Sequence, residues 1–265
     1  MTTIISVMGN KGGTAKSTLV RNLADGCARA GLRTIVVDAD PQHTLTITMQ
    51  IQPVDALLAL LDTGQQVEWS DVLCEVPEAF SGSPREFFYL LPTFEGLANI
   101  EHQAGLPERI YERFQELTGY ADIVLVDTSP GRSNIHAGFY QVSQGVLLPC
   151  QCELESILGL GATLNHLYTI GQTAPVGEVI GIIPTLFDAS ITTHQVNYGF
   201  LLEQYKRYPI FKPLREMSIW KDAAQNRQSI YQMSESKHYY QRQKAKVAVA
   251  ELQPVLDAIL KMVNT

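Results

Sequence analysis

A chain of 265 residues with 45% hydrophobic content can bury a sizeable core, and it is long for one domain yet short for two, so a single α/β domain spanning 1–265 is expected. Cys27, Cys74, Cys150 and Cys152 show no disulfide-framework spacing, the N-terminus carries no leader pattern, and no stretch approaches about 18 uninterrupted apolar residues; this excludes a disulfide scaffold and a spanning helix and reads as cytoplasmic. The net charge of −7 is unevenly spread, with 9 Lys and Arg against 22 Asp and Glu up to Tyr205, then 11 against 5 from Lys206 onward.

Along the chain, TIISVM (Thr3 to Met8) is an apolar, β-branched run of strand length. A glycine-rich turn follows, then KSTLVRNLADGCARAG, where Leu19, Val20, Leu23, Ala24, Cys27 and Ala28 recur at helical spacing and Gly31 marks the stop. RTIVVDAD reads as a second strand ending in two carboxylates, DIVLVDTSPG as a third, GVLLPC as a fourth and EVIGIIPT as a fifth. Continuous Val, Ile and Leu runs, rather than alternation, predict strands covered on both faces and hence a mostly parallel sheet. Val67 to Arg85, with Pro77, Gly82 and Pro84, is the least regular stretch and is expected to form a surface excursion. The part from about 190 to 265 is expected to be helical and basic: TTHQVNYGFLLEQYKR, SIWKDAAQNRQ, and a long amphipathic segment from about His238 to Val263. Val247, Ala250, Leu252, Val255, Ile259 and Leu260 suggest its packed face, and Pro254 is expected to bend or divide it.

GNKGGTAKST (Gly9 to Thr18) carries the chemistry. Binding a triphosphate requires backbone N–H groups converging on the phosphates, a helix N-terminus, a lysine on the β/γ oxygens and a hydroxyl for Mg²⁺. Gly12 and Gly13 supply bare backbone, Lys16 the charge, Ser17 the hydroxyl, and the helix opening at Lys16 the dipole. Relative to the usual phosphate loop, Asn10 and Ala15 stand where glycines are found, and Lys11 is additional. If Ala15 needs a left-handed backbone, the cost is about 1–2 kcal/mol, which weakens a site without abolishing it.

These residues resemble the ParA/MinD family of ATPases. KGGTAKST resembles its deviant Walker A motif, KGGxxK[ST]; DADPQ (Asp38 to Gln42) its second acidic motif; and IVLVDTSPG its Walker B strand. More weakly, LLPCQCELESILGLGATL, GIIPTLFD and LREMSIWKDA fit later family segments, so the likeness extends over nearly the whole chain, although Ala15 departs from the family's usual glycine. The resemblance implies a P-loop NTPase-like fold, a mostly parallel twisted sheet with helices on both faces in three α/β/α layers. It implies ATP with Mg²⁺ bound by Gly12, Gly13, Thr14, Ala15, Lys16, Ser17 and Thr18, with the metal held by Ser17 and Asp127. Asp40 would orient the attacking water and Asp38 lie nearer the metal, or the two exchange roles. Lys16 would neutralise the phosphates in its own subunit, while Lys11 would reach the partner's ATP in a face-to-face homodimer. Pro184, Thr185 and Phe187 resemble the family's adenine-side loop, or form an ordinary strand-to-loop turn.

The family's ParA branch coats DNA without sequence preference through C-terminal cations. Lys206, Arg207, Lys212, Arg215, Lys221 and Arg227 are the candidates here, with Lys237, Arg242, Lys244 and Lys246 as a second cluster. Its MinD branch binds membrane through a basic amphipathic tail, but ELQPVLDAILKMVNT, with two acids, one lysine and a proline, suits packing on the domain better. A metabolic ATP-dependent enzyme of the same fold is the third alternative. Cys150 and Cys152 lack a second matching pair for a metal and read as semi-buried thiols. With the first strand starting at Thr3, no helix-turn-helix precedes it, so operator binding is not expected. The chain thus resembles short ParA proteins, which lie over the nucleoid and work with a ParB-like partner or a cargo adaptor that stimulates hydrolysis.

Overall fold

The computed structural model describes residues 1–62, 64, 67–83 and 85–264; Pro84 of the irregular segment lies outside the described residues. The elements run β1 (Thr3–Val7), α1 (Lys16–Arg29), β2 (Thr34–Ala39), α2 (Thr44–Thr48), α3 (Ala56–Leu61), α4 (Trp69–Val72), β3 (Cys74–Glu75), α5 (Glu78–Ser81), β4 (Phe88–Leu91), α6 (Leu106–Gln115) and β5 (Ile123–Thr128). They continue as α7 (Asn134–Val142), β6 (Gly145–Gln151), α8 (Leu154–Gly171), β7 (Glu178–Thr185), α9 (Thr192–Gln204), α10 (Ser218–Gln225), α11 (Ile230–Ser234) and α12 (Tyr239–Val263). The sheet order is β3-β4-β2-β5-β1-β6-β7. Every neighbouring pair is parallel except β3 with β4 at the edge.

The five strands read from the sequence are the long ones, and β1, β2 and β5 are buried along their whole length. Burial on both faces follows from the layers. On one side α1 and α10 to α12 cover Ile5, Val7, Val36, Leu125 and Leu147. On the other, α3 and α6 to α8 cover Ile4, Ile35, Val37, Val124 and Val126. This is a three-layer α/β/α arrangement of the P-loop NTPase kind. At Gly26 a Cβ would come within 2.7 Å of the Tyr231 hydroxyl and 2.9 Å of Leu256, so only glycine lets α11 and α12 close on α1.

The stretch expected to be a surface excursion holds two short helices and β3, whose Cys74 and Glu75 pair with Leu90 and Tyr89. The short run Phe88–Leu91 makes β4 a buried strand between β2 and β3, absent from the sequence reading. Of the two outcomes expected at Pro254, a bend or a division, division does not occur, since α12 runs unbroken for 25 residues. Its buried face is Ala245, Ala248, Leu252, Val255, Leu256 and Ile259, whereas Val247 is 39% exposed and Ala250 is also exposed. Leu252, Val255 and Ile259 lie on that face as expected, whereas Val247 and Ala250 are apolar but fall between the positions of the 3.6-residue stripe.

Candidate nucleotide site

In a parallel sheet the strands' C-terminal ends meet at one edge, and ligands bind in the crevice there. The loop after β1, Asp38 near the end of β2, Asp127 near the end of β5, Gln151 closing β6 and Thr185 closing β7 all converge at that edge. The phosphate loop ends at Ala15, which caps α1 with φ 67° and ψ 24°, in the left-handed region. Ala15 offers no side-chain acceptor to the first amides of α1, which leaves those donors for an anion. Four hydrogen bonds shape the loop. Thr185 Oγ1 donates to Thr14 O at 3.1 Å, Gln151 Nε2 to Gly13 O at 3.1 Å, and Lys16 Nζ and Thr14 Oγ1 to Lys11 O at 3.3 and 3.5 Å.

Asp38 and Asp127 are register partners on β2 and β5, but their surroundings differ. Asp38 accepts hydrogen bonds from Thr46 N at 2.8 Å and Thr46 Oγ1 at 2.6 Å through one oxygen, and from Asp40 N at 3.2 Å through the other. Burial nevertheless pushes its pKa up to about 6. Asp127 is 1% exposed and neither of its oxygens has a hydrogen-bond partner among the described residues. Burial, then the Asp38 charge, raises its pKa well above the ordinary value; Ser17 and Lys16 ease that shift, Ser17 without completing a well-formed hydrogen bond. Lys16 is itself 7% exposed, and burial lowers its pKa against the pull of Asp127 and Asp40. A buried, unpartnered carboxylate beside a hydroxyl and a phosphate loop fits a hard divalent cation, which prefers oxygen donors. Asp40 is half-buried and accepts from Gln42 N at 3.0 Å.

The Lys11 backbone belongs to the loop, but its side chain turns toward α8. Its ammonium pairs with Glu153 at 2.9 Å and Glu155 at 3.5 Å, at the start of α8, and the Glu153 hydrogen bond raises its pKa. Beside the loop is an apolar cavity of about 290 Å³, lined by Leu19, Thr185, Leu186, Leu214, Met217 and Trp220 among others. Pro184 and Phe187 do not line it; Phe187 packs its ring 5.7 Å from Tyr198 and borders a separate groove with Lys212. Met217 and Trp220 fall in LREMSIWKDA, which the sequence reading tied to no role. Gln151 falls in LLPCQCELESILGLGATL but was given no role, because only the meeting of strand ends brings it to the loop, and Thr46, eight residues after Asp38 on α2, carried no signal.

His136 was also missed. Ser129 O can only accept, so Nε2, at 2.8 Å from it, carries a proton; with the pKa held low the ring is neutral, Nδ1 accepts from the Ser133 hydroxyl at 2.9 Å, and the ring bridges the loop after Asp127. Burial, reinforced by His166 and Lys16, pushes its pKa down from 6.5 to about 4. The stabilisation is therefore complete above the unfolded value and is lost as pH falls toward the folded one. The contribution of this group to unfolding free energy is expected to fall by about 2 kcal/mol from about pH 7.5 to about pH 5. Urea denaturation of wild type and His136→Phe at both pH values checks this; a difference between them that does not vary with pH contradicts it.

The six C-terminal cations are not one free patch. Lys206 pairs with Glu203 at 2.7 Å, Lys221 with Glu216 at 3.2 Å and Arg215 with Glu251, while Arg207 stacks over Tyr208 at 4.7 Å. Lys212 borders the groove beside α12, and Arg227 takes a left-handed backbone with φ 52°. By contrast Lys237, Arg242, Lys244 and Lys246 make no ion pair among the described residues. Cys150 and Cys152 are each 1% exposed, more buried than expected, and the described residues hold no cluster of three metal-ligating side chains.

A mostly parallel sheet between two helical layers, with a glycine-rich loop entering a helix at a lysine and a serine, defines a P-loop nucleotide-binding protein. A family profile described as an AAA domain matches residues 2–176. The chromosome-partitioning ATPase Soj of Thermus thermophilus is 31% identical over 188 residues, covering 69% of each chain. The chain belongs to the ParA/MinD family of deviant Walker A ATPases. Among solved structures, the ATP complex of a McdA variant from Cyanothece superposes with a TM-score of 0.82 at 19% identity, over 97% of this chain and 96% of that one. Cobyrinic acid a,c-diamide synthase from Mycobacterium smegmatis with bound ADP and magnesium gives 0.71 at 27% identity, over 86% and 91%.

Proposed function

We propose that this protein is a weak, partner-stimulated ATPase whose ATP-bound form is a face-to-face dimer that binds DNA without sequence preference and positions a DNA or protein cargo. The observation that carries the nucleotide part is the buried Asp127 carboxylate, left without a partner beside Ser17 and Lys16. In this reading Ser17 and Asp127 hold Mg²⁺, which neutralises charge on the β- and γ-phosphates. Residues 12–18 surround the phosphates, with Lys16 on their oxygens. Asp40, less tied than Asp38, orients the attacking water, while Asp38 fixes α2 through Thr46. The apolar cavity takes the base, with Thr185, Leu186, Met217 and Trp220 among its lining. Lys11 leaves Glu153 and Glu155 to reach the partner's nucleotide. The likeness to Soj, named a chromosome-partitioning ATPase, supports the partition role.

For DNA, Arg242, Lys244 and Lys246 at the start of α12, with Lys237 just before it, join Lys206, Arg207, Lys212, Arg215, Lys221 and Arg227 as candidates, since the exposed Lys206–Glu203 and Lys221–Glu216 pairs are weak enough to open for a phosphate. Membrane binding is disfavoured because Leu252, Val255, Leu256 and Ile259 of α12 are buried, and among the described residues no helix is long and apolar enough to cross a membrane. The setting is the cytoplasm over the nucleoid, with a ParB-like or cargo-adaptor protein as the stimulating partner. A gel shift on random duplex DNA beside a pull-down on anionic liposomes, both with ATP and Mg²⁺, tests the choice. DNA retention that falls steeply with salt is expected, and liposome binding without DNA retention contradicts it. Asp40→Ala is expected to hydrolyse ATP at least about 100-fold more slowly and to remain a dimer on DNA; an Asp40→Ala protein that stays monomeric with ATP removes its assigned role. The likeness to a diamide synthase of the same fold is the second reading, and ATP-dependent amidation of a small carboxylic acid by the purified protein would favour it.

A further inference from the structure

We propose that Thr185 is a positioning residue that holds the phosphate loop in the strained turn made by Ala15, and so sets nucleotide affinity without touching the phosphates. Ala15 sits at φ 67°, a region disfavoured for any residue with a Cβ. Such a conformation persists only where the surroundings over-determine it. The peptide joining Thr14 to Ala15 is where that determination acts. Its carbonyl accepts the Thr185 hydroxyl at 3.1 Å, and both side chains are buried, Thr14 at 2% and Thr185 at 1% exposure. A trans peptide points its N–H opposite to its C=O, so fixing the Thr14 carbonyl also fixes the direction of the Ala15 amide. Gln151 does the same one peptide earlier, through Gly13 O at 3.1 Å, but from an exposed position where water can replace it. Water does not readily replace the buried Thr185 bond, so its loss leaves a buried carbonyl unsatisfied unless the loop moves. Moving the loop relaxes Ala15 out of the left-handed region and turns the amides away. The β7 end thus acts on the loop backbone, in addition to lining the base cavity.

The inference rests on the nucleotide site proposed above, and a titration with a fluorescent ATP analogue and Mg²⁺ separates the two. Thr185→Val keeps the shape and removes the hydroxyl; its affinity is expected to fall about fivefold. Thr185→Ser restores the donor and is expected to recover most of that loss. Ala15→Gly makes the left-handed turn free of strain, so it is expected to gain about threefold or more in the Thr185→Val background and distinctly less in the wild type. Thr185→Val binding as tightly as wild type, Thr185→Ser as weak as Thr185→Val, or Ala15→Gly giving the same factor in both backgrounds would overturn the inference. An unaltered chain that binds no nucleotide would instead sink the site itself. If Thr185→Val fails to fold, Thr185→Ala carries the same test: Ala15→Gly must gain more in its background than in the wild type, and an equal factor in both overturns the inference.

Discussion

Lys16→Ala is expected to lose Mg²⁺-ATP affinity by about 100-fold or more while remaining folded. Lys16 is 7% exposed and, among the described residues, its ammonium has only the Lys11 carbonyl within hydrogen-bond distance, at 3.3 Å. Burial lowers its pKa, so the charge is held at a cost that a triphosphate relieves. Removing it takes away the charge-assisted contact to the phosphates but no net stabilisation of the unliganded fold. Isothermal titration with ATP, alongside a thermal melt, checks both halves. Retained affinity would contradict the phosphate role, and a collapsed melting temperature would make Lys16 a structural residue instead.

Lys11→Ala is expected to separate binding from association: nucleotide affinity should stay within about threefold of wild type, while DNA retention and partner-stimulated turnover should drop at least about 100-fold. The unliganded fold has little to lose. The Lys11 pairs with Glu153 and Glu155 lie at side-chain exposures of 34%, 49% and 85%, where such pairs contribute about 0–1 kcal/mol. The same weakness lets Lys11 leave α8 for a partner's phosphate. Fluorescent-nucleotide binding and the DNA gel shift on one preparation test this. Equal loss in both assays would place Lys11 in its own subunit's site.

The sheet's long strands were legible because burial on both faces forces continuous apolar runs; the edge was not, because four residues of β4 and two of β3 are too short to show a period. The phosphate loop was legible for a different reason: triphosphate chemistry demands Gly12, Gly13, Lys16 and Ser17 at fixed spacing beside a strand and a helix. Even the left-handed turn at Ala15 could be framed as a condition before it was seen. What stayed hidden is what depends on distant elements meeting. Thr185 lies 171 residues from the carbonyl it holds, and Gln151 lies 138 residues from Gly13. The sequence also showed how many cations the C-terminal part carries but not which are neutralised, since the pairing of Arg215 with Glu251 depends on how α12 packs.

Shared nucleotide is expected to join two copies of this chain. Light scattering on a sizing column, with Mg²⁺ and a non-hydrolysable ATP analogue, measures it directly. The expected mass is about twice the 29.4 kDa of the chain with the analogue and once that value with ADP. A single-chain mass with saturating analogue bound would contradict the account.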